Sequence, residues 1–308
     1  MSAAPWPSLP TYESWSATCD TLHAHSQLLG KLAVALAPPE PELQHAALQL
    51  TARGWETRPL PAPDRSGLLG VALDLRTHEA LVEFTGLPPR TIPLTPDRPV
   101  GDVTRDVLAA VTDFVGPVNV NFRPQEVAWE VPLDQDQQHH TYDPRSVERY
   151  FAVAARAGMV LAELRAPYRG RSTPVNAWWG TFDLAVSLFS GAPATPPSKD
   201  FITRNSGDAQ QIEIGWWPGD SRYPKAAFYG FAFPAPESFS ESDLSPPAAH
   251  WDKDLGEYIL DWDEVVASSD PRSAALDFGR SLISHACSVC EWDPALAGSA
   301  MGVPPPIT

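Results

Sequence analysis

Lysine is nearly absent from this chain: four residues in 308, so arginine supplies almost all of the positive charge. Lys and Arg together number 22 against 38 Asp and Glu, which leaves a formal net charge of −16. A basic face for phosphates is lacking, and this excludes non-specific binding to nucleic acid and docking on an anionic membrane. The acidity reads as a device for solubility, with an acidic site for a basic partner as the other reading. Cysteine is scarce too: there are three, an odd number with no disulfide-framework spacing. No apolar run reaches the length that spans a bilayer. The opening MSAAPWPSLP has neither the basic nor the apolar region of a secretory signal. These absences lead us to expect a soluble, cytoplasmic protein. No G-x-G-x-x-G follows a strand, and P-loop, H-E-x-x-H and G-x-S-x-G motifs are missing, so nucleotide-phosphate, zincin and α/β-hydrolase readings lose their usual support. Nothing names a cofactor, and no metal site is expected.

What is present is a globular composition, with 43% hydrophobic and 10% aromatic residues. The length suits one large domain or two smaller ones. The abundance of Ala, Pro and Arg reads as the codon bias of a GC-rich bacterial genome. From Thr11, a plausible N-cap, Tyr12, Trp15, Cys19, Leu22, Leu29 and Leu36 recur at helical steps until Pro38-Pro39. LQHAALQLTARG is a strand candidate, and GLLGVALDLRTHEALVEFTG a hairpin turning near Thr77 to Glu79. RTIPL fits an edge strand, because Pro93 cannot donate to a ladder. A helix runs through DVTRDVLAAVTDFVG, and short extended pieces follow in VNVNF and AWEVPL. Asp143-Pro144 caps the next helix. Strands are then expected in VNAWWGTFDLAVSLF, QQIEIGWW, AAFYGFAF and GEYIL, before a last helix from DPRSAALDFG.

This order repeats, helix then strands then helix, and suggests an internal duplication. The expected fold is α+β: a mostly antiparallel sheet with packing helices, in two similar helix–four-strand–helix halves. The expected boundaries are a tail at 1–10, halves at 11–133 and 134–297, and a disordered tail at 298–308. On this reading His45 and Asn176 are equivalent positions, and a groove is expected between the halves.

Five stretches taken together, WPSLPTYESWSATCDTLH, LTARGWETRPLP, YDPRSVERYF, WWGTFDLAVSLFSG and GWWPGD, resemble a family of uncharacterised bacterial, actinobacterial-type proteins, domain-of-unknown-function family 5996. The resemblance spans nearly the whole chain and implies no activity. It also implies a histidine where this chain has Asn176, a departure that weakens any metal or base role there.

The chemistry candidates are few. Cys287 and Cys290 form a lone C-x-x-C near a helix end, which reads as core packing more readily than as zinc or redox chemistry. Asp20, His23 and Gln27 share one helical face, where an aspartate fixes a histidine tautomer or the face is simply solvated. His45 is expected to begin a strand, as a structural residue or across a groove from that helix. His139 and His140 read as surface residues. Arg165, Arg169 and Arg171 suit a carboxylate or phosphate, or complement a helix C-terminus. Period-two reading puts Trp178 and Trp216 in the core, and Trp179, Asp183, Glu213 and Trp217 on one mixed face, joined by Tyr229. Such a face is either a second buried layer, a pocket for a sugar, amine or cation, or a carboxylate pair for hydrolysis. The expected function is binding of a small polar or cationic ligand in an aromatic, acidic pocket. A hydrolase using Asp183 and Glu213, or His23 and His45, and a protein-interaction module are the alternatives.

Overall fold

A single 3-10 turn, Tyr12–Ser14, leads into the first long helix, α1 (Ser16–Leu36). Its N-cap is Trp15, with no side-chain hydrogen bond, and not Thr11, which precedes the 3-10 turn. The helix is not amphipathic in the ordinary sense. Leu22, Leu28, Leu29 and Leu32 are buried, and so are His23, His25, Ser26, Gln27 and Lys31. A helix covered nearly all round is an interior element, so its polar groups must find partners inside the protein. The chain is described by a computed structural model over residues 5–297, and the reading of 298–308 as a disordered tail lies outside the described residues.

The chain divides into two compact units. The first comprises residues 12–152 and 176–183. Its strands are β1 (Leu48–Leu50), β2 (Gly54–Glu56), β3 (Leu60–Pro61), β4 (Leu68–Asp74), β5 (Glu79–Phe84), β6 (Arg90–Pro93) and β7 (Asn176–Trp178). They pair antiparallel in the order β7-β1-β2-β4-β5-β6, with β3 beside β4. The β4–β5 hairpin turns through residues 75–78, as its alternation predicts, and β6 with Pro93 ends the order. The first strand is shorter than expected. Pro41 opens a 3-10 turn in which Glu42 and Leu43 take left-handed backbone, φ 50° and 53°, so His45 lies in a turn and not in a strand.

Helix α2 (Val100–Val115) stops at Gly116, whose φ of 77° is a conformation glycine adopts at little cost. The expected extended pieces VNVNF and AWEVPL join no ladder. Residues 117–143 form a long loop with one 3-10 turn, Leu133–Gln135, and Pro117, Pro124 and Pro132 remove three donors a ladder would need. Helix α3 (Pro144–Arg165) begins where Asp143 accepts from the Ser146 N–H at 3.1 Å. It runs from the first unit into the second at residue 153.

The described part of the second unit comprises residues 5–11, 153–175 and 184–297. Strands β8 (Asp183–Pro193), β9 (Ala209–Trp217), β10 (Ala227–Phe233), β11 (His250–Asp252) and β12 (Glu257–Asp261) pair antiparallel in the order β8-β9-β10-β12-β11. The helices are α4 (Phe201–Ser206), α5 (Trp262–Ala267), α6 (Pro271–Val289) and α7 (Pro294–Ala297). Ile212, Ile214 and Trp216 are fully buried along one face of β9, as alternation predicts. Helix α6 packs close on β10, where a Cβ at Gly230 would overlap Leu282. The Trp6 ring lies tilted at 5.2 Å from that of Trp262, whose indole N–H donates to the Pro7 carbonyl at 2.9 Å. No described helix is long and apolar enough to cross a membrane.

Candidate functional site

The stretch VNAWWGTFDLAVSLF is not one strand. Pairing stops after Trp178, and residues 179–182 turn, with Phe182 at φ 61°, before β8 starts at Asp183. A left-handed aromatic residue breaks the period of two, so parity does not carry across it. Trp178 is consequently half-buried, while Trp179 is 4% exposed, the reverse of the alternation reading. The Trp179 indole N–H donates to the Ala46 carbonyl at 3.0 Å, and its ring lies on α1 where Gly30 leaves room for it. Phe182 is held by stacking on His23 and Trp55 at 4.9 Å each and on Tyr150 at 5.2 Å. Asp183 is buried and accepts from the Thr181 hydroxyl.

The remaining sequence-derived positions separate as follows. Trp179, Asp183, Asn176, His45, His23 and Asp20 belong to the first unit, and Glu213, Trp217 and Tyr229 to the second. In the second unit the Glu213 carboxylate accepts from the Ser187 hydroxyl at 3.1 Å and the Tyr229 hydroxyl at 3.3 Å. Trp217 lies edge-on to Tyr229 at 5.5 Å and near Tyr223 at 5.6 Å, so both aromatics are buried in a small cluster with Ala227 and Ile259. In the first unit Asn176 is fully tied, giving to Gln44 at 2.9 Å and accepting from Arg58 at 3.3 Å. The Nδ1 of His45 accepts from the Glu40 N–H at 3.0 Å, and burial lowers the pKa of that imidazole.

The polar stripe of α1 is where chemistry gathers. Asp20, His23 and Gln27 do share a face, and Lys31 extends it by one more turn. The face is covered, not solvated: His23 is 8% exposed, Gln27 fully buried and Lys31 4% exposed. Its cover is the turn after β7 together with the 117–143 loop. The Nε2 of His23 donates to the carbonyls of Trp179 at 2.9 Å and Gly180 at 3.1 Å. Gln27 and Gln125 exchange hydrogen bonds, side-chain amide to carbonyl at 2.8 Å and backbone N–H to side-chain oxygen at 2.9 Å. The Lys31 ammonium gives one bond, at 3.3 Å, to the Gln125 side chain. Burial pushes its pKa down to about 8.

Farther along the same loop, Trp129 is half-buried with its ring close to two imidazoles, edge to face with His23 at 5.1 Å and tilted against His139 at 4.4 Å. His139 is itself paired, its Nδ1–H donating to the buried Asp136 carboxylate at 2.6 Å. Burial works against ionisation of Asp136. The hydrogen bonds from the His139 ring and from the His139 and Gln138 backbones outweigh it and hold the carboxyl below its usual range. An aspartate on Nδ1 fixes the tautomer and leaves Nε2 as the basic nitrogen. Asp20 sits near enough to His139 to interact electrostatically, and accepts from the Tyr12 hydroxyl at 2.8 Å. Burial raises its pKa in spite of that bond. Beside the cluster, His25 is buried with an unbonded Nδ1, and burial lowers its pKa to about 4.

No local pattern in the sequence singles out Trp129 or Asp136, and His139, which reads there as a surface residue, has a side chain only 15% exposed. The signal for Lys31 was there: it stands four residues after Gln27 inside LLGKLAVAL, and lysine is rare in this chain. Asp136 and His139 stand at a three-residue spacing in a stretch that looks like a linker, and only the folded loop brings the His139 ring against Trp129. Among the described residues no group of three or more His, Cys, Asp or Glu side chains is placed to hold a metal ion. Cys287 and Cys290 are free thiols, and burial raises both pKa values, Cys287 to about 11.

Fold and site together define an α+β protein of antiparallel strands, with a buried polar helix stripe under an aromatic and histidine-bearing loop. Residues 6–298 match the model for "Family of unknown function (DUF5996)", and the chain belongs to that family. No curated protein and no solved structure matches it.

Proposed function

We propose that the first unit binds a small polar ligand carrying a cationic or amine group, on the surface made by Trp129, His139 and Asp20. The observation that carries this reading is the half-buried Trp129 ring in contact with two imidazoles, one of them His139, whose Nδ1 lies 2.6 Å from the Asp136 carboxylate. An aromatic face attracts a cation, an oriented imidazole accepts from an ammonium or hydroxyl, and a carboxylate supplies the counter-charge. The test is a thermal-shift screen with polyamines, quaternary amines and amino sugars. A ligand at about a hundredfold its Kd stabilises by roughly 2.7 kcal/mol. His139→Gln should lose the ligand shift, with the melting point of the free variant as the reference because its bond to Asp136 changes too. A shift that survives both His139→Gln and Trp129→Ala places the ligand elsewhere and ends the proposal.

A hydrolase is the second reading, favoured by the Asp136–His139 geometry, in which Nε2 of His139 serves as general base. Turnover of an ester or amide panel that is abolished in His139→Gln would select it over simple binding.

We further read the chain as a soluble, cytoplasmic protein of bacterial origin and as the product of an internal duplication. Support for the duplication is the repeated order: α1 of 21 residues and α3 of 22, each followed by antiparallel strands paired largely in chain order and then by a helix, α2 or α6.

A further inference from the structure

Buried lysines ordinarily face a carboxylate, because an unpaired ammonium in an apolar interior is costly. Lys31 does not. It is 4% exposed, and among the described residues no carboxylate lies within ion-pair distance of it. Its ammonium meets one acceptor, the uncharged Gln125 amide at 3.3 Å, and an indole, with the Trp179 centroid at 5.3 Å. Glu126, the neighbour of Gln125, lies instead against Gly180. The apolar wall is fixed in place. Trp179 is anchored to the Ala46 carbonyl, and Gly30, the residue before Lys31, is the only kind of residue that lets the indole lie so close, since a Cβ there would fall 2.0 Å from the ring. The acceptor beside the amine, Gln125, is a half-buried residue on the 117–143 loop, which no strand ladder holds.

We propose that Lys31 is a nucleophilic amine that takes a small carbonyl compound, an aldehyde, as a covalent imine. A desolvated, unpaired lysine is the form in which a neutral amine becomes accessible near neutrality, and burial lowers the Lys31 pKa accordingly. The amine gives up its third proton to solvent, and its lone pair attacks the carbonyl carbon. The C–N bond forms as the carbonyl π pair moves to oxygen, which is protonated to a carbinolamine. Loss of water then leaves the protonated C=N, so that ammonium plus aldehyde become iminium plus water with no oxidant or reductant. The step uses Gln125 as the movable acceptor beside the amine and Trp179 as the apolar wall, and it is independent of the ligand surface at Trp129.

The test treats the whole folded chain with propanal at neutral pH, traps the imine with cyanoborohydride, and reads each lysine by peptide mass spectrometry. The three other lysines, Lys199, Lys225 and Lys253, are all exposed and serve as internal references. Lys31 should be propylated at least about tenfold faster than any of them, because a larger fraction of it is neutral. Gln125→Ala, which removes that acceptor, should raise the Lys31 rate further and leave the other three unchanged. The proposal is overturned if the exposed lysines react first, or if Lys31 reacts only at the rate of global unfolding measured by hydrogen exchange on the same sample.

Discussion

Lys31 and His25 are both bases held in the interior of α1, and burial lowers the pKa of each. The consequences fall in different pH windows. The folded pKa of His25, about 4, lies below the ordinary value of 6.5, so the native state binds the proton less readily than the unfolded chain. Its contribution is complete above pH 6.5 and is lost as the pH falls toward 4, on the order of 3 kcal/mol at the lower end. Urea midpoints at the two ends of that window should differ less in His25→Leu than in the natural protein. For Lys31 the window runs from about 8 to 10.5, and stability should rise with pH across it. Lys31→Met should abolish that rise and stabilise the protein by about 1–3 kcal/mol at neutral pH, because it removes a buried charge without leaving a cavity. An unchanged denaturation midpoint in Lys31→Met would show that the ammonium is solvated in the native state. The Asp20–His23–Gln27 face was legible from helical spacing, since i, i+3 and i+7 lie together whatever the tertiary context. Its cover was not legible, because Gln125 meets Gln27 across 98 residues of chain and no local pattern encodes that contact.

At the scale of elements, α1 and the turn after β7 are fitted to one another through Gly30 and Trp179. Alanine in place of glycine inside a helix normally stabilises by about 1 kcal/mol. Here the added Cβ would lie 2.0 Å from the Trp179 ring, so Gly30→Ala should instead destabilise by about 1–3 kcal/mol. In a Trp179→Ala background the same substitution should become neutral or favourable, and a double-mutant cycle by urea unfolding reads the coupling directly. If the two substitutions are additive, the packing described for α1 is incorrect. The sequence announced β4–β5 because seven- and six-residue strands with a short turn satisfy their pattern locally. It did not announce the break at Phe182. That residue takes a left-handed backbone because three ring stacks hold it there, one of them with His23, 159 positions earlier. The tryptophan parity breaks at that one residue, whereas within β9, which has no such break, Ile212, Ile214 and Trp216 form a fully buried face.

The whole molecule carries 16 more acidic than basic side chains. Self-repulsion of that size opposes compaction, and salt relieves it. Raising the ionic strength from about 0.01 M to about 0.15 M should therefore raise the melting temperature, as differential scanning calorimetry would record. A falling Tm would mean that specific ion pairs outweigh net repulsion. Composition made this property readable in full, whereas the division of the chain into units was not readable, since each unit gathers segments distant in sequence.

That division bears on the order in which the protein is made. The Trp6 ring and the Pro7 carbonyl complete their contacts only with Trp262. Trp6 and Pro7 must therefore wait for more than 250 later residues before these contacts form, while the unit built from 12–152 and 176–183 has all of its residues once 183 has emerged. Synthesis should complete the first unit before the second, whose contacts from Trp6 and Pro7 to Trp262 form last. A stall or truncation before Trp262 would release a chain with one finished unit and with Trp6 and Pro7 lacking these contacts, a state that limited proteolysis of ribosome-bound chains would detect.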